Sequence, residues 1–319
     1  MTTIGYHASH EQLPPRDLLA AVRYAESVGF DAAMCSDHLA PWTPAQGESG
    51  YAWTWLGAAL ASTQFPIGVV TAPGQRYHPV ILAQAIGTIE QMFPGRFWAA
   101  LGSGEAINEH VTGTGWPEKT ARELRLRECV DTIRRLLAGE TVTVDRHIVV
   151  HEARVWSRPE TPPPLLGAAV SAKTAGWVAG WADGLITVGS DPAATGAALK
   201  TFRDAGGTGD AALQIHVCLA DTDEEALQVA RAQWAHSSAP AERMSDIEQP
   251  EEFEALADPT DDKLNDAVVI TSSAEAMAER IAAAAKGFDA VYVHHVGVDQ
   301  GPFIRRCEEQ LLPALRRLM

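Results

Sequence analysis

The sequence predicts one α/β domain over residues 1–319, a (β/α)8 TIM barrel with an insertion between its seventh and eighth strands. Three observations lead there. Eight apolar runs of strand length are each followed by helical periodicity, and strict βα alternation requires a parallel sheet. A length of 319 residues suits one large barrel. No G-x-G-x-x-G fingerprint follows the first strand, which disfavours a doubly wound open sheet.

Each element has its own warrant. Thr3-Ile4-Gly5-Tyr6 forms a short first strand, and residues 15–28 carry helical periodicity opened by a proline. The second, third and fourth strands fall at 30–35, 67–71 and 97–101, each an apolar run, with helices over 53–63, 78–92 and 120–137. A Pro-rich stretch at 158–164 interrupts the alternation. It resumes with strands at 165–169, 184–187 and 213–218 and helices over 172–180, 193–205 and 224–235. Residues 237–266 are polar and acidic, with little core character, and read as a lid or peripheral insert. A short apolar run at 267–270 and a helix over 274–284 close that insertion. The last strand, 290–293, precedes a final helix over 303–318.

Composition narrows the function classes. The hydrophobic content of 46% and charged content of 21% are those of a globular protein with ample core. A net charge of −16 argues against nucleic acid or an anionic membrane as partner. No secretory signal and no apolar run of membrane-spanning length is visible, which predicts a cytoplasmic protein. Cys35, Cys129, Cys218 and Cys307 are widely spaced and read as buried free thiols.

In a barrel the residues after each strand converge on one mouth. The fourth strand empties into Gly102-Ser103-Gly104 and delivers Glu105, Asn108 and Glu109. The first strand leads to His7, His10 and Glu11, the second to Ser36, Asp37, His38 and Trp42, and the eighth to His294 and His295. Each has a bland alternative. Glu105 would be favoured in a first helical turn, Asp37 could fix a loop, Trp42 could cover the barrel top, and His216 is a core histidine. His294 and His295 alternate faces, so at most one points inward. Together, His38, Trp42 and Glu105 suit hydride chemistry. A histidine exchanges a hydroxyl proton near neutrality, a carboxylate steadies developing charge, and an indole offers a flat apolar face.

Two rival classes stand beside that reading. A metal-dependent barrel hydrolase would use His7, His10, His38 and one of His294 and His295, although His7 and His10 lack the His-x-His spacing that aims both side chains inward. A non-catalytic paralogue would bind flavin without turnover.

Ser36-Asp37-His38 with Trp42, the run Gly102 to Glu109, and Trp181-Ala182-Asp183-Gly184 resemble the luciferase-like family of flavin and deazaflavin oxidoreductases. The resemblance runs end to end and lies near the branch of deazaflavin (F420)-dependent glucose-6-phosphate dehydrogenases. It implies His38 as active-site base, Glu105 as proton donor toward the ring cofactor, Trp42 as stabilising aromatic and Glu11 as a further catalytic carboxylate. It also implies cofactor contacts at Asp37, Asn108, Val170 and Ser171, a non-prolyl cis peptide at Val69-Val70, and a homodimer. Where that branch holds a sugar phosphate with basic residues, this chain offers Ser190 or Asp191, Arg243 or Met244, and Asp266. An acidic residue repels an anion, so glucose 6-phosphate is not the expected substrate. A small, neutral organic molecule is expected instead. Segments 5–12 and 72–79 resemble a sister branch that uses flavin mononucleotide (FMN). Ser171 and Lys173 offer a phosphate site, so this reading favours FMN over coenzyme F420.

Overall fold

The computed structural model describes residues 1–319. Eight parallel strands close on themselves: β1 (Thr3–Ala8), β2 (Ala32–Cys35), β3 (Ile67–Thr71), β4 (Phe97–Leu101), β5 (Leu165–Ala168), β6 (Leu185–Val188), β7 (Ala211–Leu219) and β8 (Ala290–His295). Neighbours in sequence are neighbours in the sheet, β1 pairs with β8, and β6 pairs with β7. Odd positions of β1 share the barrel interior with even positions of β8, while the other parity feeds one continuous apolar layer under the helices.

Two glycines make the barrel floor possible. A Cβ on Gly68 would lie 1.9 Å from the Trp98 indole, and one on Gly5 would lie 2.3 Å from the Tyr292 ring. The two aromatics pack against each other with centroids 5.6 Å apart and fill the interior with Met34, Leu166 and Ile186. Gly68→Ala must therefore displace a packed indole. We expect a loss of about 1–3 kcal/mol, read as a lowered urea midpoint; an unchanged midpoint would mean that the floor is loosely packed.

The predicted insertion lies between β7 and β8, after the helix Asp223–Trp234 that follows β7, and carries helices Pro250–Leu256, Asp261–Ala267 and Ala274–Ala284. The apolar run at its end forms a short strand, Val269–Thr271, which pairs in parallel beside the far end of β7, from Val217 to Leu219. An antiparallel hairpin, Val142–Asp145 with Val149–Ala153, occupies a stretch where no strand was expected. Only Val142, Ile148 and Val150 are buried there, too few to mark it as sheet.

The final helix is broken into Gln300–Arg306, a wider turn at Cys307–Leu311, and Leu312–Leu318. Pro313, with no N–H to donate, accounts for the irregularity. All four cysteines are buried and free. No helix is long and apolar enough to cross a membrane.

One expectation is corrected here. The chain contains no cis peptide bond, so Val69-Val70 is trans. Unbroken parallel pairing of β3 with β4 from Ile67 to Thr71 suits the trans form, which is favoured by about 2.5–4 kcal/mol.

Candidate active site

Three loops at the C-terminal mouth build the centre. After β1 the chain turns Glu11 inward, where its Oε2 accepts hydrogen bonds from Ser9 Oγ at 2.7 Å and Ser36 Oγ at 2.6 Å. Its other oxygen faces His38 Nε2 at 3.4 Å. Glu105 approaches the same nitrogen from the β4 loop, with its Oε2 3.8 Å away. His38 thus stands between two carboxylates, its Nδ1 buried without a partner.

The carboxylates differ in character. Burial alone would push the Glu11 carboxyl up, but His38, the Ser36 and Ser9 hydroxyls and its own backbone N–H outweigh this and hold it at about 2. Glu105 is raised, first by burial and then by the Glu11 and Glu109 charges, with the His38 and Arg122 charges partly offsetting them. One group is a fixed anion and the other is poised to carry a proton, a division suited to acid–base work.

Beneath them lies a buried ionic girder. Asp37 accepts from Thr71 Oγ1 at 2.7 Å and Tyr77 OH at 2.9 Å. The Arg76 guanidinium lies 3.4 Å from Asp37 and 3.6 Å from Glu109, and the Arg76 backbone N–H donates to Glu109 at 2.6 Å. Gly104, at φ +81°, allows this: a Cβ there would sit 3.0 Å from Glu109 Cγ in a backbone conformation that side chains rarely adopt. Asn108 Oδ1 accepts from Leu39 N–H at 2.8 Å, while its Nδ2 makes no hydrogen bond within the protein.

A wall of aromatic rings extends from His38. Its imidazole lies 4.7 Å from Trp42, which stacks on His236 at 5.1 Å and 3°, with Phe253 edge-on. Trp234 then bridges His236 to His216 and His294, and His294 stacks on His7 at 4.2 Å. His7, His294 and His216 form the interior layer above Tyr292, two residues beyond Gly5, Tyr292 and Gln214 on their strands.

Sequence reasoning brought His38, Trp42, Glu11 and Glu105 together, and the structure unites them. It missed Trp234, His236 and Phe253, which sit in or beside the acidic insertion. Large aromatics in an otherwise polar stretch were the available signal. Val70 points into the barrel, but the Val69 side chain is buried in the outer layer, so only its backbone borders the mouth. Both Asp37 oxygens are occupied within the protein. Val170 is 82% exposed, and Ser171 Oγ accepts from Thr174 N–H at 3.3 Å as a helix cap. Ser190 Oγ donates to the Asp266 carbonyl at 2.7 Å, so the two positions expected to replace phosphate-binding residues do lie side by side.

The histidines do not form a metal site. His10 packs edge-on against Trp55, His295 stacks on Phe303 outside the barrel, and no three His, Cys, Asp or Glu side chains are arranged to hold an ion.

Burial lowers these imidazoles, to about 3 for His7 and His236 and about 4 for His216 and His295. Unfolded, each titrates near 6.5. Between those limits the unfolded chain binds more protons, so stability is fully present above about pH 6.5 and falls as pH drops through the folded values. Glu11 acts with the same sign at lower pH. We expect the urea midpoint to fall between pH 7.5 and pH 5; equal midpoints would contradict neutral burial.

Comparison with known proteins places this geometry. Residues 1–290 match the model of the luciferase-like monooxygenase family. The chain is 35% identical to an F420-dependent glucose-6-phosphate dehydrogenase of Beutenbergia cavernae, over 99% of this chain and 98% of that enzyme. A protein of the same description from Microbacterium testaceum is 36% identical over 98% and 97%. Among solved structures, an F420-dependent secondary alcohol dehydrogenase in complex with an F420-acetone adduct superposes with a TM-score of 0.91 at 29% identity, covering 99% of both chains. The F420-dependent tetrahydromethanopterin reductase of Methanopyrus kandleri has the same fold, with a TM-score of 0.76 at 18% identity over 98% of this chain and 99% of that one.

Proposed function

Since this chain belongs to the luciferase-like monooxygenase family, as a flavin- or deazaflavin-dependent oxidoreductase, we propose that it uses coenzyme F420 to oxidise a small neutral secondary alcohol to its ketone, reversibly. The observation that carries this reading is His38 held between the anionic Glu11 and the raised Glu105. A two-carboxylate, one-imidazole centre whose nearby guanidiniums, Arg76 and Arg122, are paired with Asp37, Glu109 and Asp246 suits a neutral hydroxyl better than a phosphorylated sugar.

The residues at the mouth fit a tricyclic ring. Val70 offers an inward apolar surface, and the unspent Asn108 Nδ2 offers a donor to a ring-edge oxygen. When bound, F420 supplies a ring carbon that accepts or gives a hydride. The chain's own part is proton management. His38 Nε2 takes the hydroxyl proton as the O–H bond breaks, the C=O bond forms and the carbinol hydride departs. Glu11 remains an anion and stabilises the imidazolium. Glu105 supplies the proton needed on the cofactor side.

F420 replaces the FMN favoured by the sequence. That preference rested on a phosphate site at Ser171 and Lys173, on the chain's acidity and on segments resembling an FMN-using branch; of these, the Ser171 hydroxyl caps its helix by accepting from Thr174 N–H. Relatives matched over nearly the whole chain are F420-dependent. Titration of the cofactor-free protein with both cofactors tests this: F420 should bind at least tenfold more tightly. Tighter FMN binding would overturn it. A homodimer remains a proposal from the resemblance, to be settled by light scattering in solution.

A further inference from the structure

We propose that the substrate carries a second neutral oxygen beside the reacting hydroxyl, as in a vicinal diol or its hydroxyketone, and that His7 and His236 bind that oxygen. The inference rests on the hydride-transfer reading above and names the substrate class it leaves open.

In the aromatic wall His38, His216 and His294 each have a partner at Nε2, whereas two imidazoles have none at either nitrogen. His294 Nε2 is bonded to Gln12 Oε1 at 2.7 Å, and His216 Nε2 to Gln214 at 3.2 Å. His7 and His236 make no side-chain hydrogen bond at all, although they are only 4% and 3% exposed. Their Nδ1 atoms are fully buried without partners. A buried imidazole in that state is costly unless something present during function satisfies it.

Both rings are fixed in place. His236 is held face to face on Trp42 and edge-on to Trp234 and Phe253, and His7 is stacked on His294. They border the catalytic centre from two sides. His236 is one ring beyond His38 through Trp42, and His7 pairs with Met34, the β2 residue two positions before Ser36. Trp234 packs against both His236 and His294, the ring on which His7 stacks, so the two imidazoles belong to one continuous wall.

Chemistry then selects the ligand. A plain alkanol would leave both imidazoles unpaired. An anion would meet Glu11 and Glu105, while the nearby guanidiniums, Arg76 and Arg122, are already paired with Asp37, Glu109 and Asp246. A cation would be desolvated against imidazoles that themselves resist protonation, and Glu11 already has its oxygens engaged by Ser9, Ser36 and His38. A neutral hydroxyl or carbonyl can both give to and take from a neutral imidazole.

The test compares 2-butanol with 2,3-butanediol, which share the reacting group and differ by one hydroxyl, on the F420-loaded enzyme. The diol should show at least tenfold higher kcat/KM, and His236→Phe should bring that ratio toward one, while His236→Gln, which keeps hydrogen-bonding capacity, should retain much of it. Glycerol 3-phosphate and 1-amino-2-propanol serve as charged arms and should be poorer than the diol.

Binding is read separately from turnover by histidine-15N NMR of the cofactor-free protein. Hydroxybutanone should shift the His7 and His236 imidazoles, and 2-butanone should not. Equal turnover of 2-butanol and the diol, an unchanged ratio in His236→Phe, or preference for a charged arm would overturn the proposal. If no alcohol reduces F420, the hydride-transfer reading fails, and the NMR titration alone decides whether His7 and His236 bind a neutral oxygen.

Discussion

Replacing His38 with alanine is expected to lower kcat/KM for alcohol oxidation by about 10²–10⁴-fold, the usual loss when a positioned general base is removed. No neighbouring group can take over. Glu11 stays engaged by the Ser9 and Ser36 hydroxyls, and Glu105 is farther from the reacting position, its Oε2 3.8 Å from the imidazole nitrogen that would be lost. The loss should fall on kcat more than on KM, because His38 gains its proton only as the hydride departs. Some stability should be lost as well, because His38 helps hold the buried Glu11 carboxyl low. Steady-state kinetics with a parallel unfolding curve separate the two effects. Retained activity in a folded His38→Ala protein would remove His38 from the mechanism.

Arg76→Leu is expected to produce the largest loss of stability, about 3–5 kcal/mol, because it strands buried charge. Arg76 is the cation between Asp37 and Glu109, whose side chains are 0% and 2% exposed. It also donates to the Asp37 carbonyl at 2.7 Å and lies over the Tyr77 ring. Without it, two carboxylates face each other across a dry gap. Asp37 and Glu109 belong to the loops that carry His38 and Glu105, so the catalytic distances should loosen as well. Urea unfolding measures the first effect. A loss under 1 kcal/mol would mean that water already screens the pair.

The barrel was legible because its signal is periodic and repeated. Eight apolar runs at strand length survive an error in any one of them. The Val142–Ala153 hairpin was not legible because one buried face of three residues leaves almost no alternation. At the site, residues that follow strands directly were read correctly as a set, since topology alone sends Glu11, His38 and Glu105 to one mouth. Trp234, His236 and Phe253 depend on how an acidic insertion folds back across the barrel, and nothing local in residues 234–253 encodes that return. Val69 shows a subtler limit: adjacency to an inward residue does not make a strand residue inward.

The central claim is that His38 and Glu11 support hydride transfer between an alcohol carbon and F420. It is tested most directly by incubating the purified protein with F420 and a secondary alcohol deuterated at its carbinol carbon. Mass spectrometry of the recovered cofactor should find one deuterium per reduced F420, with the matching ketone formed in equal amount. Recovery of F420 unreduced and unlabelled, while FMN in the same mixture becomes reduced, would contradict the account.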